Sequence, residues 1–345
     1  MRIAQVAPLF ESVPPKLYGG SERVVSYLSD TLTEMGHKVT LFASADSNTL
    51  ANLVPMCDRS LRLDDKCAQP LAHYVLMMER VFKDSKRFDI IHFHTDYLHF
   101  PLARRHLGRT LTTLHGRLDI PDLLPLYKEF SEIPLVSVSN AQRKPLSWAN
   151  WIGTVYHGLP LHQFPFQPKT GSYLAFLGRI SPEKRVDTAI AVAKRVGLPL
   201  KIAAKVDRVD REYYQSIIRP LLDDGLIEYV GEIGERDKGA FLGDALALLF
   251  PIEWPEPFGL AMIEAMACGT PVIARRCGSV PEVVRHGTTG FICDTEAEMA
   301  DAVERCASLN RATIRRECEE RFSARRMARN YLDIYDSLVN LKKTA

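Results

Sequence analysis

Two glutamates frame the stretch Pro255-Glu256-Pro257-Phe258-Gly259-Leu260-Ala261-Met262-Ile263-Glu264. The stretch follows the apolar segment Ala247–Phe250 and turns helical from about Gly259; Gly269 and Pro271 stop that helix. A helix that opens just past the carboxyl end of a parallel strand aims its free N–H groups into the ligand crevice. Gly259 has no side chain, so a ligand can approach the backbone there. An ionised carboxylate only accepts hydrogen bonds, which suits the vicinal hydroxyls of a sugar or a ribose. Either glutamate alone reads more simply as a solvated or ion-paired side chain near a helix start. The pair around Pro257-Phe258-Gly259 reads as a binding frame.

A second element agrees with it. Phe176-Leu177-Gly178-Arg179-Ile180-Ser181-Pro182-Glu183-Lys184 follows an apolar strand and precedes a helix. Arg179 and Lys184 on one short loop can both serve a diphosphate, with a solvated helix start paired to Glu183 as the plainer alternative. In the first half, Tyr18-Gly19-Gly20-Ser21-Glu22 lies between the first strand and the first helix. Its two glycines permit a tight turn whose amides approach an anion, although a third glycine of the dinucleotide fingerprint is missing. His115 ends the segment Thr110–Leu114. His92-Phe93-His94-Thr95-Asp96 invites a metal reading, but two histidines on one strand face are too few for a closed site, and no Asp-x-Asp occurs in the chain. No metal or other cofactor is therefore expected. His94 and Asp96 read instead as acceptor-pocket candidates, a satisfied core histidine being the alternative.

The Glu256…Glu264 frame with its Pro257-Phe258-Gly259-Leu260 resembles the signature of the retaining GT-B glycosyltransferases of family four, and the resemblance extends over nearly the whole chain. It implies that Glu256 binds hydroxyls of the transferred sugar and Glu264 the nucleotide ribose. It implies backbone contacts from Phe258, Gly259 and Leu260 to sugar and diphosphate, and carries Arg179 and Lys184 to the diphosphate. Gly19 and Gly20 would lie near the donor phosphate and the acceptor, His115 would bond the donor sugar, and Ile233 in Gly231-Glu232-Ile233 would lie near the base. A nucleotide diphosphate sugar is the implied co-substrate, with a UDP-sugar favoured and GDP-mannose next. A small-molecule or lipid-linked molecule is the implied acceptor. Lys16, Arg117, Arg143 and Lys144 all follow strand ends in the first half; if they converge, an anionic acceptor fits.

The elements that must hold these residues alternate short apolar runs with amphipathic helices, the pattern of parallel sheets. Strand candidates in the first half are Arg2–Ala7, Lys38–Phe42, Asp89–Phe93, Thr110–Leu114, Leu135–Ser139 and Gly153–Tyr156. Those in the second are Tyr173–Leu177, Leu200–Ala204, Ile227–Val230, Ala247–Phe250, Pro271–Ala274 and Gly290–Ile292. Val24, Val25, Leu28, Leu32 and Met35 share one face of a first helix that Gly36 caps. Residues 43–72 read as an irregular polar stretch with a short helix. Prolines and a glycine crowd Tyr156–Pro168, which marks a linker. The expected fold is α/β, a GT-B arrangement of two Rossmann-like doubly wound domains facing a central cleft. Residues 1–158 form the acceptor side and 159–323 bind the donor. One amphipathic helix follows, with Ser323 as its N-cap and Met327, Tyr331, Ile334, Tyr335 and Leu338 on one side. It crosses back to the first domain or closes the second.

At 345 residues the chain is too long for a single core, and its charge of +2 supports neither a nucleic-acid groove nor a polybasic membrane tail. No segment approaches the roughly 18 apolar residues of a membrane span. Seven cysteines without a zinc-knuckle spacing read as reduced, which favours a cytoplasmic location. Three rival functions remain open: another GT-B enzyme such as a sugar-nucleotide epimerase or a phosphorylase, a nicotinamide oxidoreductase, and a non-catalytic nucleotide-sugar binding protein.

Overall fold

A computed structural model describes residues 1–223 and 225–344, the last four by their backbone. The chain divides into two compact units, Met1–Gly158 with the segment from Ala324, and Leu159–Ser323.

The first unit holds seven strands: β1 (Arg2–Val6), β2 (Lys38–Ala43), β3 (Asn52–Pro55), β4 (Ile90–Phe93), β5 (Thr110–Thr113), β6 (Leu135–Ser137) and β7 (Trp151–Thr154). They form one parallel sheet in the order β3-β2-β1-β4-β5-β6-β7. Helices α1 (Gly20–Glu34), α2 (Pro70–Lys83), α3 (Phe100–Ala103) and α4 (Leu123–Glu129) connect them. Every residue of β4, β5 and β6 is buried, as befits a parallel sheet covered on both faces. β3 lies inside the stretch read as irregular; it is a half-exposed edge strand of four residues that closes on a proline, so its sequence carries little alternation. α1 ends as expected. Gly36 takes φ 89°, its N–H reaches the Thr33 carbonyl, and the His37 N–H reaches that of Leu32, a Schellman closure.

The second unit holds β8 (Tyr173–Arg179), β9 (Leu200–Lys205), β10 (Ile227–Gly231), β11 (Ala245–Phe250), β12 (Val272–Arg275) and β13 (Gly290–Cys293). These too are parallel, in the order β10-β9-β8-β11-β12-β13. Its helices are α5 (Val186–Val196), α6 (Arg211–Tyr213), α7 (Glu235–Gly243), α8 (Leu260–Ala267), α9 (Val280–Val283), α10 (Glu296–Cys306) and α11 (Arg311–Phe322). A core of Leu174, Ile190, Ile202, Leu249, Ile273 and Val303, among others, fills the space between this sheet and its helices.

The last helix, α12 (Ala324–Thr344), belongs to the first unit and packs against α1. Met327, Tyr331 and Tyr335 are fully buried there. In each unit the strand order reverses once, between β1 and β4 and between β8 and β11. Such a reversal opens a crevice beyond the carboxyl ends of the strands on either side of it, where doubly wound folds bind ligands. No described helix is long and apolar enough to cross a membrane.

Candidate active site

In the second unit the charged candidates gather at the reversal. Arg179 is the last residue of β8, Lys184 ends the short turn after it, and Glu256 lies in the loop between β11 and α8. The Lys184 ammonium forms an ion pair with Glu256 Oε2, and the Trp254 indole N–H donates to the same oxygen at 2.8 Å. Lys184 also stands over the Trp254 ring, 4.9 Å from its centroid. Two donors on Oε2 leave Oε1 as the acceptor for a hydroxyl. The loop is held from behind: Ser279 donates its N–H to the Glu256 carbonyl and its hydroxyl to that of Phe258. Gly278 packs so close to the backbone of Glu256 that a Cβ there would stand 2.4 Å from its nitrogen.

Gly259 takes φ 83°, which an L side chain rarely adopts, and its Cβ would meet Met262 Cε at 2.7 Å and Phe250 Cζ at 3.0 Å. As the N-cap of α8 it offers no side-chain oxygen to the first-turn amides. Phe258 is buried; Gly259 and Leu260 are half-buried.

Glu264 sits one turn inside α8, 2% exposed, and accepts a hydrogen bond from Lys238 of α7 at 2.8 Å. Lys238 also pairs with Glu235 at 3.4 Å. Arg179 is ringed by carboxylates, Glu183 at 2.5 Å, Asp210 at 3.4 Å and Asp207 at 3.8 Å. Ile233 is half-buried beyond β10, whose register bulges between Tyr229 and Gly231. Lys238 and Trp254 have no counterpart among the sequence-derived candidates. Trp254 stands two residues before Glu256, where an aromatic was open to notice; Lys238 meets Glu264 only through the packing of α7 on α8.

In the first unit the glycine and histidine candidates are uncharged, whereas Asp96, Arg117 and Arg143 carry charge. Gly19 takes φ 146°, and its Cβ would lie 2.8 Å from Pro15 Cβ, so glycine is required at the entry to α1. Gly20 begins that helix. Glu22 in its first turn is buried, which pushes its carboxyl up to about 7, with Glu11 adding to the shift and Arg62 opposing it. His94 and His115 follow β4 and β5. His94 Nε2 lies 2.8 Å from Gln5 Oε1 and its Nδ1 lies 2.9 Å from His115 Nε2, so both nitrogens of His94 are engaged and the ring is 2% exposed. That is a satisfied core histidine. His92 is likewise taken up, by the Tyr335 hydroxyl and by Thr113 Oγ1, each at 2.7 Å. Burial pushes His115 down to about 4, and its ring stacks on His157 at 5.3 Å. Asp96 is exposed with φ 50°. Arg117 is clamped by Asp119 at 2.7 Å, Arg143 donates to Ser137 and lies over Trp151, and Lys16 and Lys144 are exposed. Among the described residues, no group of three or more His, Cys, Asp or Glu side chains is placed to hold a metal ion.

Two doubly wound α/β units, each a parallel sheet covered by helices with one reversal of strand order, have the fold of a GT-B glycosyltransferase. Residues 18–197 match the family profile described as Glycosyltransferase Family 4, and residues 161–325 match that of Glycosyl transferases group 1. The chain belongs to glycosyltransferase family 4. Over 337 residues it is 26% identical to a glycogen synthase of Mycobacterium tuberculosis, spanning 81% of this chain and 80% of that one. It is 24% identical to the N-acetyl-alpha-D-glucosaminyl L-malate synthase of Bacillus anthracis, spanning 80% and 81%. In three dimensions it is similar to Anabaena HepE in complex with UDP and glucose, with a TM-score of 0.76, 15% identity, and coverage of 98% and 100%.

Proposed function

We propose that this glycosyltransferase moves a hexose from a nucleotide diphosphate sugar to a small-molecule or lipid-linked acceptor, with retention of anomeric configuration and without a metal ion. The observation that carries the reading is the Lys184–Glu256–Trp254 contact at the end of β11, beside Arg179 at the end of β8. It supports the reading because a carboxylate suited to sugar hydroxyls and cations suited to a diphosphate follow the ends of two neighbouring strands. A UDP-sugar is the first donor to try, given the UDP and glucose held by the Anabaena structure, and GDP-mannose the next.

When the anomeric C–O bond breaks, its electron pair leaves with the diphosphate. The Lys184 ammonium has three N–H groups, one of them toward Glu256, so others can reach a phosphate oxygen. Arg179 and the glycine-capped start of α8 stabilise the same charge, which would let the reaction proceed without a metal. Glu256 accepts from hydroxyls of the transferred sugar, which carries the developing positive charge. Glu264 accepts from the ribose, and backbone near Ile233 meets the base. In the first unit Gly19 and Gly20 border the donor phosphate and the acceptor, and His115 bonds the transferred sugar. Asp96, Arg117 and Arg143 are the residues offered to the acceptor.

The test is release of nucleoside diphosphate from a panel of nucleotide sugars, with and without EDTA, followed by NMR of the glycosidic product once an acceptor is found. Turnover that persists in EDTA and a product of the donor's own anomeric configuration are expected. Activity lost in EDTA and restored by magnesium or manganese removes metal independence, and an inverted product removes retention. Absence of turnover with every nucleotide sugar defeats the proposal itself.

A further inference from the structure

Behind His115 runs a chain of buried polar side chains. Gln5, in the middle of β1, is 0% exposed. Its amide nitrogen donates to the Tyr335 hydroxyl of α12 at 3.1 Å, and its amide oxygen faces His94 Nε2 at 2.8 Å. An amide oxygen only accepts, so His94 carries its proton on Nε2. Burial pushes the His94 pKa well down, so the ring is neutral and its Nδ1 is a bare lone pair. That lone pair lies 2.9 Å from His115 Nε2, which must then hold the His115 proton. His115 is neutral too, and its Nδ1 is left bare. This nitrogen is buried and has no hydrogen-bond partner among the described residues. The opposite polarity would bury an orphaned N–H at the same place, and orphaned donors are rarer in proteins than under-used acceptors.

The far end of the chain is consistent. The Tyr335 hydroxyl, accepting from Gln5, is free to donate to His92 Nδ1 at 2.7 Å. His92 Nε2 then donates to Thr113 Oγ1 at 2.7 Å, and Thr113 to the Tyr331 hydroxyl at 2.9 Å.

We propose that Gln5, acting through His94, fixes His115 as the Nε2–H tautomer and so makes its Nδ1 a dedicated hydrogen-bond acceptor. Gln5 and His94 are positioning residues, and the specificity follows from the lone pair: the ligand atom opposite must be a donor. Resting on the reading that His115 meets the transferred sugar, this selects a sugar with a free hydroxyl at the contacted carbon. A fluorine there cannot donate.

The full-length protein labelled with nitrogen-15 in histidine gives the tautomer directly, with no sugar present. The wild type is expected to show His115 protonated on Nε2 and unprotonated on Nδ1. In Gln5→Glu a carboxylate faces His94, favours its imidazolium, and turns its Nδ1 into a donor, which drives the His115 proton onto Nδ1. Against a panel of monofluoro donor sugars, the wild type is expected to lose tenfold or more in kcat/KM, roughly one hydrogen bond to a neutral group, for the member fluorinated opposite His115 as well as for those fluorinated opposite Glu256, and His115→Ala removes the loss only for the first. Gln5→Glu is expected to narrow the discrimination opposite His115 and leave that opposite Glu256 unchanged. A merely structural role for Gln5 would change melting temperature without moving either the tautomer or the fluoro-sugar preference. A His115 proton on Nδ1 in the wild type overturns the proposal, as does an unchanged tautomer in folded Gln5→Glu. If that variant does not fold, the wild-type spectrum still decides. Unchanged kcat/KM in His115→Ala would instead remove the sugar contact and leave the relay standing.

Discussion

Two clusters, one in each unit, handle buried polarity in opposite ways. Past the strand ends of the second, polar side chains are charged and matched, Lys184 with Glu256, Lys238 with Glu264, Arg179 with three carboxylates. Behind His115 in the first, within and just past β1, β4 and β5, they are neutral imidazoles, an amide and hydroxyls linked in series, apart from the buried Glu22 and the Glu11–Arg62 pair. The difference follows from what each kind of group tolerates. A buried charge must be partnered at once or it costs several kcal/mol, whereas a neutral imidazole needs only a donor on one side and an acceptor on the other. Charge pairs suit an anionic ligand, which exchanges partners with them. A neutral chain suits the uncharged hydroxyls of a sugar.

The hardest blow to this contrast is expected from Glu256→Gln. It keeps the shape but removes the charge that we propose beside the transferred sugar, so kcat should fall by about 10²–10³-fold while affinity for free nucleoside diphosphate stays nearly intact. Glu264→Gln should do the reverse, weakening nucleotide binding by about 1–3 kcal/mol with little change in kcat. Steady-state kinetics and calorimetric titration of both variants separate the roles; exchanged patterns would exchange the assignments.

Lys238→Met tests whether the charge pairing is obligatory. It strands Glu264, 2% exposed, without its nearest cation and should destabilise the fold by about 3 kcal/mol in denaturant titration. The double variant with Glu264→Gln should recover most of that loss. Additive losses would mean the two side chains are not coupled.

The neutral chain has its own test in pH. His115 sits at about 4 in the folded protein against an ordinary value of 6.5. Between those values the unfolded chain binds a proton that the folded one refuses, so stability falls as pH drops from 6.5 toward 4. His115→Gln should flatten that slope by about 2 kcal/mol, allowing for its partial exposure. Equal slopes in wild type and variant would mean the ring is charged when folded.

The smallest effects are expected at the two glycines that open helices α1 and α8. Ala at Gly259 strains a φ of 83°, meets the movable end of Met262 and crowds the Phe250 ring at 3.0 Å, at a cost of about 1–2 kcal/mol. Ala at Gly19 meets the ring of Pro15, which cannot swing away, and should cost more. Thermal melts of the pair rank them, and the opposite order would show that the Pro15 turn is the softer of the two.

Legibility in the sequence followed the same division. The run from Pro255 to Glu264 could be read because strand end, loop and helix start are contiguous, and so could Arg179 and Lys184. Twelve of the strands announced themselves as apolar runs; β3 did not, being short, half-exposed and ended by Pro55. Lys238 lies 26 residues from Glu264 and on another helix, so no spacing rule links them. Tyr335 lies 330 residues from Gln5, and its hydroxyl reads as one more apolar ring on a helix face until the fold brings β1 beneath it. Local chemistry was open to sequence reasoning; partners supplied by packing were not.

That separation also sets a timetable for synthesis. The first unit is built from residues 1–158 and from a helix that begins at Ala324, so the ribosome must translate the whole second unit before the first can close. At about 5–20 residues per second, the intervening segment takes roughly 8–33 s. Through that interval Gln5 and His92 lack the Tyr335 hydroxyl, and the surface of α1 that α12 covers stays open to water and to chaperones. Translation of α12, rather than appearance of the last β7 residue, is therefore the step that supplies the first unit's last element among the described residues.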